Sequence, residues 1–163
     1  MKKGLLLSGS DDCRDCVWDI NTTNSNMLNQ EAIVNFEAHS SIVEDVAWNN
    51  FDEYIFATVA DDKKFEIWDI RENPIRPSSS IEGHVAEIMS VDCSPFDQYL
   101  MVTGSADGTC AVWDMRNVKT KLFSLRGHTK DINNVRFSKM QSNLLASSGH
   151  DRRVMMWDLS RFD

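Results

Sequence analysis

Three histidines in this chain are each followed by an aspartate 23 residues later and by a Trp-Asp pair 29 residues later. The sets are His39, Asp62 and Trp68-Asp69; His84, Asp107 and Trp113-Asp114; and His128, Asp151 and Trp157-Asp158. A hydroxyl side chain stands four positions before each of these aspartates, at Thr58, Thr103 and Ser147, as Ser8 does before Asp12. Serine or threonine, histidine and aspartate are the parts of a nucleophile, its base and the carboxylate that orients the base. Hydrolytic chemistry needs such a set once, whereas here it recurs in every repeat, so the spacing argues for a structural role. Cys13 and Cys16 form a C-x-x-C, a spacing used by zinc and redox sites. They lack a second pair and a histidine at ligand spacing, and in a strand an odd separation sends two side chains to opposite faces. There is no glycine-rich phosphate loop and no solitary nucleophile beside a base. Neither enzymatic activity, a metal nor a cofactor is expected.

The elements that must position these residues follow from the same spacing. The connectors from one Trp-Asp tryptophan to the next histidine vary, at 21, 16 and 15 residues, while the inner spans are constant. A fixed unit on variable connectors, with a period of roughly 45 residues, is the signature of a four-stranded propeller blade. Period-two alternation predicts strands throughout. An inner strand carries Val43/Val46, Ile88/Val91 and Ile132/Val135, closing on Trp48, Cys93 and Phe137. Second strands are expected over 54–59, 100–104 and 144–148, and third strands over 65–68, 110–113 and 154–157. Fourth strands are expected over 33–36, 79–82 and 121–125, with loops over 21–31 and 71–80. The chain opens on a second strand, 5–9, and stops after a third, which gives fourteen strands and no helix. The expected fold is all-β: a partial, open β-propeller of two complete four-stranded blades (38–82 and 83–126) flanked by two incomplete ones (1–37 and 127–163).

A 163-residue chain with 26% charged and 42% hydrophobic residues is an ordinary globular mixture. Its net charge of −8 disfavours nucleic acid as a direct ligand and favours a basic protein segment. The run Leu5-Leu6-Leu7 after Lys2-Lys3 is too short for a signal peptide, and no stretch is long enough to span a bilayer. Four cysteines without a framework spacing suit a reducing compartment, cytosol or nucleus. One repeat departs from the rest. Asp15 stands three residues before Trp18, where the others carry Phe65, Cys110 and Val154, so this blade is expected to be frayed or its face exposed. Asp12 and Trp18 also lack an upstream histidine, which should make the first blade the weakest.

The Gly-His…Asp…Trp-Asp grammar, with Gly83-His84 and Gly127-His128 and with Ala38 in place of the glycine before His39, resembles that of WD repeats. Three longer strings narrow the resemblance: 42–48 (Ile-Val-Glu-Asp-Val-Ala-Trp), 103–107 running into 113–117, and 146–153. They resemble the retinoblastoma-binding, histone-binding WD-repeat family, which includes the small subunit of chromatin assembly factor. The resemblance implies that His39/Thr58/Asp62/Trp68, His84/Thr103/Asp107/Trp113 and His128/Ser147/Asp151/Trp157 are buried hydrogen-bonded tetrads. It implies a nuclear scaffold, with histones and subunits of chromatin-modifying complexes as partners and no membrane. Glu44, Asp61, Glu87 and Asp131 would lie on the top rim and take charge-assisted hydrogen bonds from a basic peptide, the tail of histone three above all. The family's grip on a helix of histone four uses a leading helix and an acidic, proline-bearing loop that this sequence lacks, so that activity is not expected. Since the family forms a closed ring, the chain reads as a piece of one, or as a product without autonomous function, whose open blade edges could self-associate. Trp68-Asp69-Ile70-Arg71 and Trp113-Asp114-Met115-Arg116 also match the WDxR box of substrate receptors that dock on the damaged-DNA-binding adaptor of cullin-RING ubiquitin ligases. That leaves Arg71 and Arg116 open to a second reading beside a local capping role.

Overall fold

The computed structural model describes residues 4–21 and 31–161. Within them lie fourteen strands and one 3₁₀ turn, Leu159–Arg161, so the molecule is all-β. The strands form four antiparallel sheets. The first holds β1 (Leu5–Gly9), β2 (Asp15–Asp19) and β3 (Val34–Phe36). The second runs β4 (Val43–Trp48), β5 (Ile55–Ala60), β6 (Lys64–Asp69) and β7 (Ser79–Glu82). The third runs β8 (Ile88–Cys93), β9 (Leu100–Ser105), β10 (Thr109–Asp114) and β11 (Phe123–Arg126). The fourth holds β12 (Ile132–Phe137), β13 (Leu144–Gly149) and β14 (Val154–Asp158). Each sheet is a meander of neighbouring strands, and β4 packs on β8, β8 on β12 and β1 on β4, so the inner strands stand side by side. This is an open β-propeller with two four-stranded blades between two three-stranded ones. The expected loop over 71–80 gives up its end to β7, and the other expected loop lies largely outside the described residues.

The apolar core lies between sheets, not within them. Phe36 of the first sheet meets Phe56 and Trp68 of the second, with ring centroids 5.0 and 4.9 Å apart. Val59, Phe65 and Ile67 of the second meet Ile88, Met101 and Trp113 of the third. Val102, Cys110 and Val112 of the third meet Ile132, Val135 and Leu145 of the fourth. A sheet covered on both faces buries residues of both parities, and β5, β6, β9 and β10 are accordingly buried almost end to end. The outer face of the fourth sheet is bare: Val154 and Met156 alternate there at 74% and 69% exposure.

Two local devices shape the upper edge. The pairing of each inner strand slips once, between Val43 and Asp45, Ile88 and Ser90, and Ile132 and Asn134, which makes Glu44, Met89 and Asn133 bulge residues. A bulge bends its strand and re-aims a side chain. The turn after each aspartate puts Cys13, Lys63, Gly108 and Arg152 in the left-handed region, with φ of 68°, 68°, 78° and 64°.

Asp15 corrects the sequence reading. β2 is not frayed, since it pairs with β1 over its whole length and with Phe36, Asn35 and Val34 of β3. Nor is the carboxylate exposed, because the second sheet covers that face and Asp15 is 1% accessible.

Candidate functional site

The repeated histidines sit in the connectors that lead to the inner strands, each under the turn that carries its aspartate. His39 Nδ1 lies 3.1 Å from Asp62 Oδ2, and its Nε2 lies 2.8 Å from Thr58 Oγ1. The Trp68 indole N–H donates to the same hydroxyl at 3.1 Å. The next two repeats match: Nδ1 to Asp107 and Asp151 at 3.0 Å, Nε2 to Thr103 and Ser147 at 2.8 Å, and indole to hydroxyl at 2.9 Å from Trp113 and 2.8 Å from Trp157. A carboxylate only accepts, so Nδ1 carries the proton that points at it, and in the neutral ring the hydroxyl donates to Nε2 while accepting from the indole. Each Oγ is thus buried with both its proton and a lone pair engaged, which leaves no free nucleophile. Burial alone would raise Asp62, but hydrogen bonds from His39 and from the N–H groups of Ser40 and Lys64 lower it below the usual carboxylate range. Asp107 is held far lower against the same burial by His84 and Thr109. The first repeat keeps only the Trp18-to-Ser8 bond, at 2.9 Å.

These braces hold the turns that build the acidic rim. In each repeat the residue before the turn aspartate donates its N–H to the inner-strand connector: Asp61 to Ile42, Ala106 to Glu87 and His150 to Asp131, at 2.8–3.0 Å. Glu44, thrown outward by its bulge, then meets Asp61. Burial raises both carboxyls above their ordinary values, and for Glu44 the fields of Asp61 and Asp11 push the same way. For Asp61 the charge of Glu87 in the next sheet adds to the rise. The charges that act most on Glu44 and Asp61 are all carboxylates. Asp131 stands apart from this trio and pairs with His150 at 3.4 Å. The acidic arc therefore runs Asp11, Glu44, Asp61, Glu87, and a histidine caps it at the fourth sheet. Asp11 was missed from sequence, although its place before Asp12 repeats that of Asp61 before Asp62.

Below the rim, a polar network stitches three inner strands together. Asp45 Oδ2 accepts from Ser90 Oγ at 2.8 Å, from the Val91 N–H at 3.0 Å and from Arg136 Nη1 at 3.0 Å. Arg136 also reaches Ser90 Oγ and the carbonyls of Val91 and Val135, each at 2.9 Å. Asp92 Oδ2 accepts the Phe137 N–H at 2.7 Å. Neighbouring inner strands lie in register at the repeat period, so a residue meets its counterpart one repeat on.

The two WDxR arginines fold back on their own repeats. Arg71 and Arg116 pair with Asp69 and Asp114 and lie over the rings of Tyr54 and Tyr99, 4.5 and 4.3 Å from the centroids. Cys13 occupies a turn, while Cys16 faces Asn35 across the first sheet. Among the described residues no group of three or more His, Cys, Asp and Glu is arranged to hold a metal ion.

A family model described as the EIPR1 beta-propeller matches residues 14–157. The chain is also similar to the histone acetyltransferase type B subunit 2 of Debaryomyces hansenii, with 38% identity over 97% of this chain. The match covers 39% of that protein, so the chain spans about two fifths of its relative's length.

Proposed function

Because the chain belongs to the WD-repeat β-propeller family that includes the histone acetyltransferase type B subunit 2, we propose that it serves a chromatin-modifying or chromatin-assembly complex as a non-catalytic docking scaffold in the nucleus. Its ligand in this reading is a basic peptide, the N-terminal tail of histone three in preference to the helix of histone four. The observation that carries the reading is the arc of Asp11, Glu44, Asp61 and Glu87, in which burial first, and then the charges of Asp61 and Asp11 on Glu44 and of Glu87 on Asp61, raise the Glu44 and Asp61 carboxyls. A lysine or arginine entering the arc relieves that repulsion and takes charge-assisted hydrogen bonds, about twice as strong as neutral ones. The tetrads hold the turns of the second and third sheets so that the carboxyls are presented without a search.

The test is a titration with a peptide of the histone-three tail at two ionic strengths. Exposed charges are screened over about 8 Å at physiological salt, so affinity should fall steeply between low and high salt. Glu44→Lys together with Glu87→Lys should abolish binding while leaving the thermal transition in place. Binding that ignores salt and survives both substitutions would overturn the reading.

A further inference from the structure

Between the first and second sheets lies a cluster of ionisable groups that the rim does not use. Asp15 of β2 is 1% exposed, and neither of its carboxyl oxygens has a hydrogen-bond partner. Across the interface stand His39 from the connector before β4, Thr58 of β5 and Glu66 of β6. Glu66 is also 1% exposed; its Oε1 accepts from Ser80 Oγ at 2.9 Å, whereas Oε2 is unpaired and 3.7 Å from His39 Nε2. Asp12 of the same sheet and Asp62 behind the imidazole add further negative charge. Of the nearby cations, Arg14 bridges to Glu37 at 2.9 Å, and the charge of Lys64 acts on Glu66 of the cluster, opposing its rise. Asp15 thus faces one carboxyl, one imidazole and a hydroxyl across the interface, with the Asp12 carboxyl on its own side.

We propose that this interface is a proton-operated latch, in which β1–β3 seat firmly on the second sheet while Asp15 carries a proton and loosen when it ionises. An unpaired carboxylate sealed from water is far costlier than a neutral carboxyl, and separating the sheets is the one way to hydrate it. Burial is the main cause that lifts Asp15 from 3.8 to about 7; the His39 charge and the Thr58 hydroxyl oppose it, and Glu66 and Asp12 reinforce it. Burial raises Glu66 as well. For His39 burial opposes the charged ring, but the hydrogen bond to Asp62 and the fields of Glu66, Asp62 and Asp15 outweigh it and raise the imidazole. A raised folded-state value means that the seated interface holds protons the separated one releases. Separating the sheets relieves the burial of Asp15, which therefore weakens seating as pH rises between 3.8 and about 7, whereas His39 and Glu66 keep their partners Asp62 and Ser80 within the second sheet in either arrangement. Asp62, lowered, acts in the opposite sense, and only below its ordinary range.

Hydrogen exchange on the full chain, corrected for intrinsic rates, tests this at pH 5.5 and pH 8. Amides of β1–β3 should lose roughly thirtyfold protection at the higher pH, the effect of one protonation equilibrium titrating up to about 7, while those of β8–β10 should not. Asp15→Asn, nearly isosteric and unable to ionise, should hold first-sheet protection level across that range. Asp15→Val guards against an amide that perturbs the contact, and it should do the same. First-sheet protection that is flat with pH in the parent chain, or that falls equally in both variants, would overturn the latch.

Discussion

The second sheet meets the third and the first through aromatic contacts, Phe65 against Trp113 and Phe36 against Phe56 and Trp68, but only the contact with the first sheet also encloses a carboxylate, Asp15. At the former, Phe65 lies against Trp113 with ring centroids 4.7 Å apart, and Gly83 leaves the room: a Cβ there would come within 2.8 Å of the phenyl ring. At the latter, the position three residues before the tryptophan is Asp15, turned toward His39, Thr58 and Glu66. Strand length, pairing and the place of the tryptophan are nearly the same in both sheets. Backbone pairing and period-two alternation set the architecture, and they do so whatever one buried position contains. The strength of each blade-to-blade contact is set separately, by what that position puts between two sheets. A propeller can therefore be uniform in form and uneven in stability.

The largest way to break the contrast is to remove the aromatic contact. Phe65→Ala leaves a cavity walled by Trp113 and the core of the third sheet. Chemical denaturation should show a loss of about 3–5 kcal/mol, the usual range for a buried phenylalanine. A loss below about 1 kcal/mol would mean that the sheets close over the gap, and that Phe65 matters no more than Asp15.

A smaller effect of opposite sign sharpens it. Asp15→Val restores the residue class that the other repeats carry and removes two unsatisfied oxygens. It should stabilise the chain by about 1–3 kcal/mol at pH 8, the order of a buried polar group without a partner. Because Asp15 is raised to about 7, folding takes up a proton between 3.8 and that value, and parent stability declines across the interval. The gain should therefore be larger at pH 8 than at pH 5. A gain that grows toward acid would show that the sign is wrong.

How far the sequence discloses this contrast depends on the kind of spacing involved. The tetrads were legible because their members sit at fixed offsets, and the strands because alternation and turn aspartates recur. The resemblance pointed to Glu44, Asp61 and Glu87 on the rim, but nothing in the pattern announced the bulge at Glu44. Asp15 was visible as an anomaly and misread as the mark of a frayed blade or an exposed face. An alternating strand shows which residues share a face but not whether another sheet covers it, and in blades sandwiched on both sides each parity is buried. Glu66 escaped notice for the same reason: between Phe65 and Ile67 it reads as the polar, outward position of an alternating strand. The Asp45–Ser90–Arg136 network joins residues 45 to 91 positions apart, and only the side-by-side packing of the inner strands reveals it.

The smallest effect separates backbone from side chain. The residue after the turn aspartate has positive φ in every repeat, but only the third supplies glycine there, at Gly108; the others use Cys13, Lys63 and Arg152. A side chain in the left-handed region costs roughly 1–2 kcal/mol, and glycine returns part of that through its freer unfolded chain. Lys63→Gly should therefore stabilise the second sheet's turn by about 0.5–1 kcal/mol, read as a small rise in the denaturation midpoint. Gly108→Ala should act the other way, since its Cβ would also approach the His128 carbonyl oxygen to 3.3 Å. Neither change touches the contact between the first and second sheets, so both should leave the pH dependence centred on Asp15 untouched. If Lys63→Gly altered that dependence, the turn and the buried carboxyl would be one unit through Asp62 and His39, and the first interface could not be treated as independent of the brace beside it.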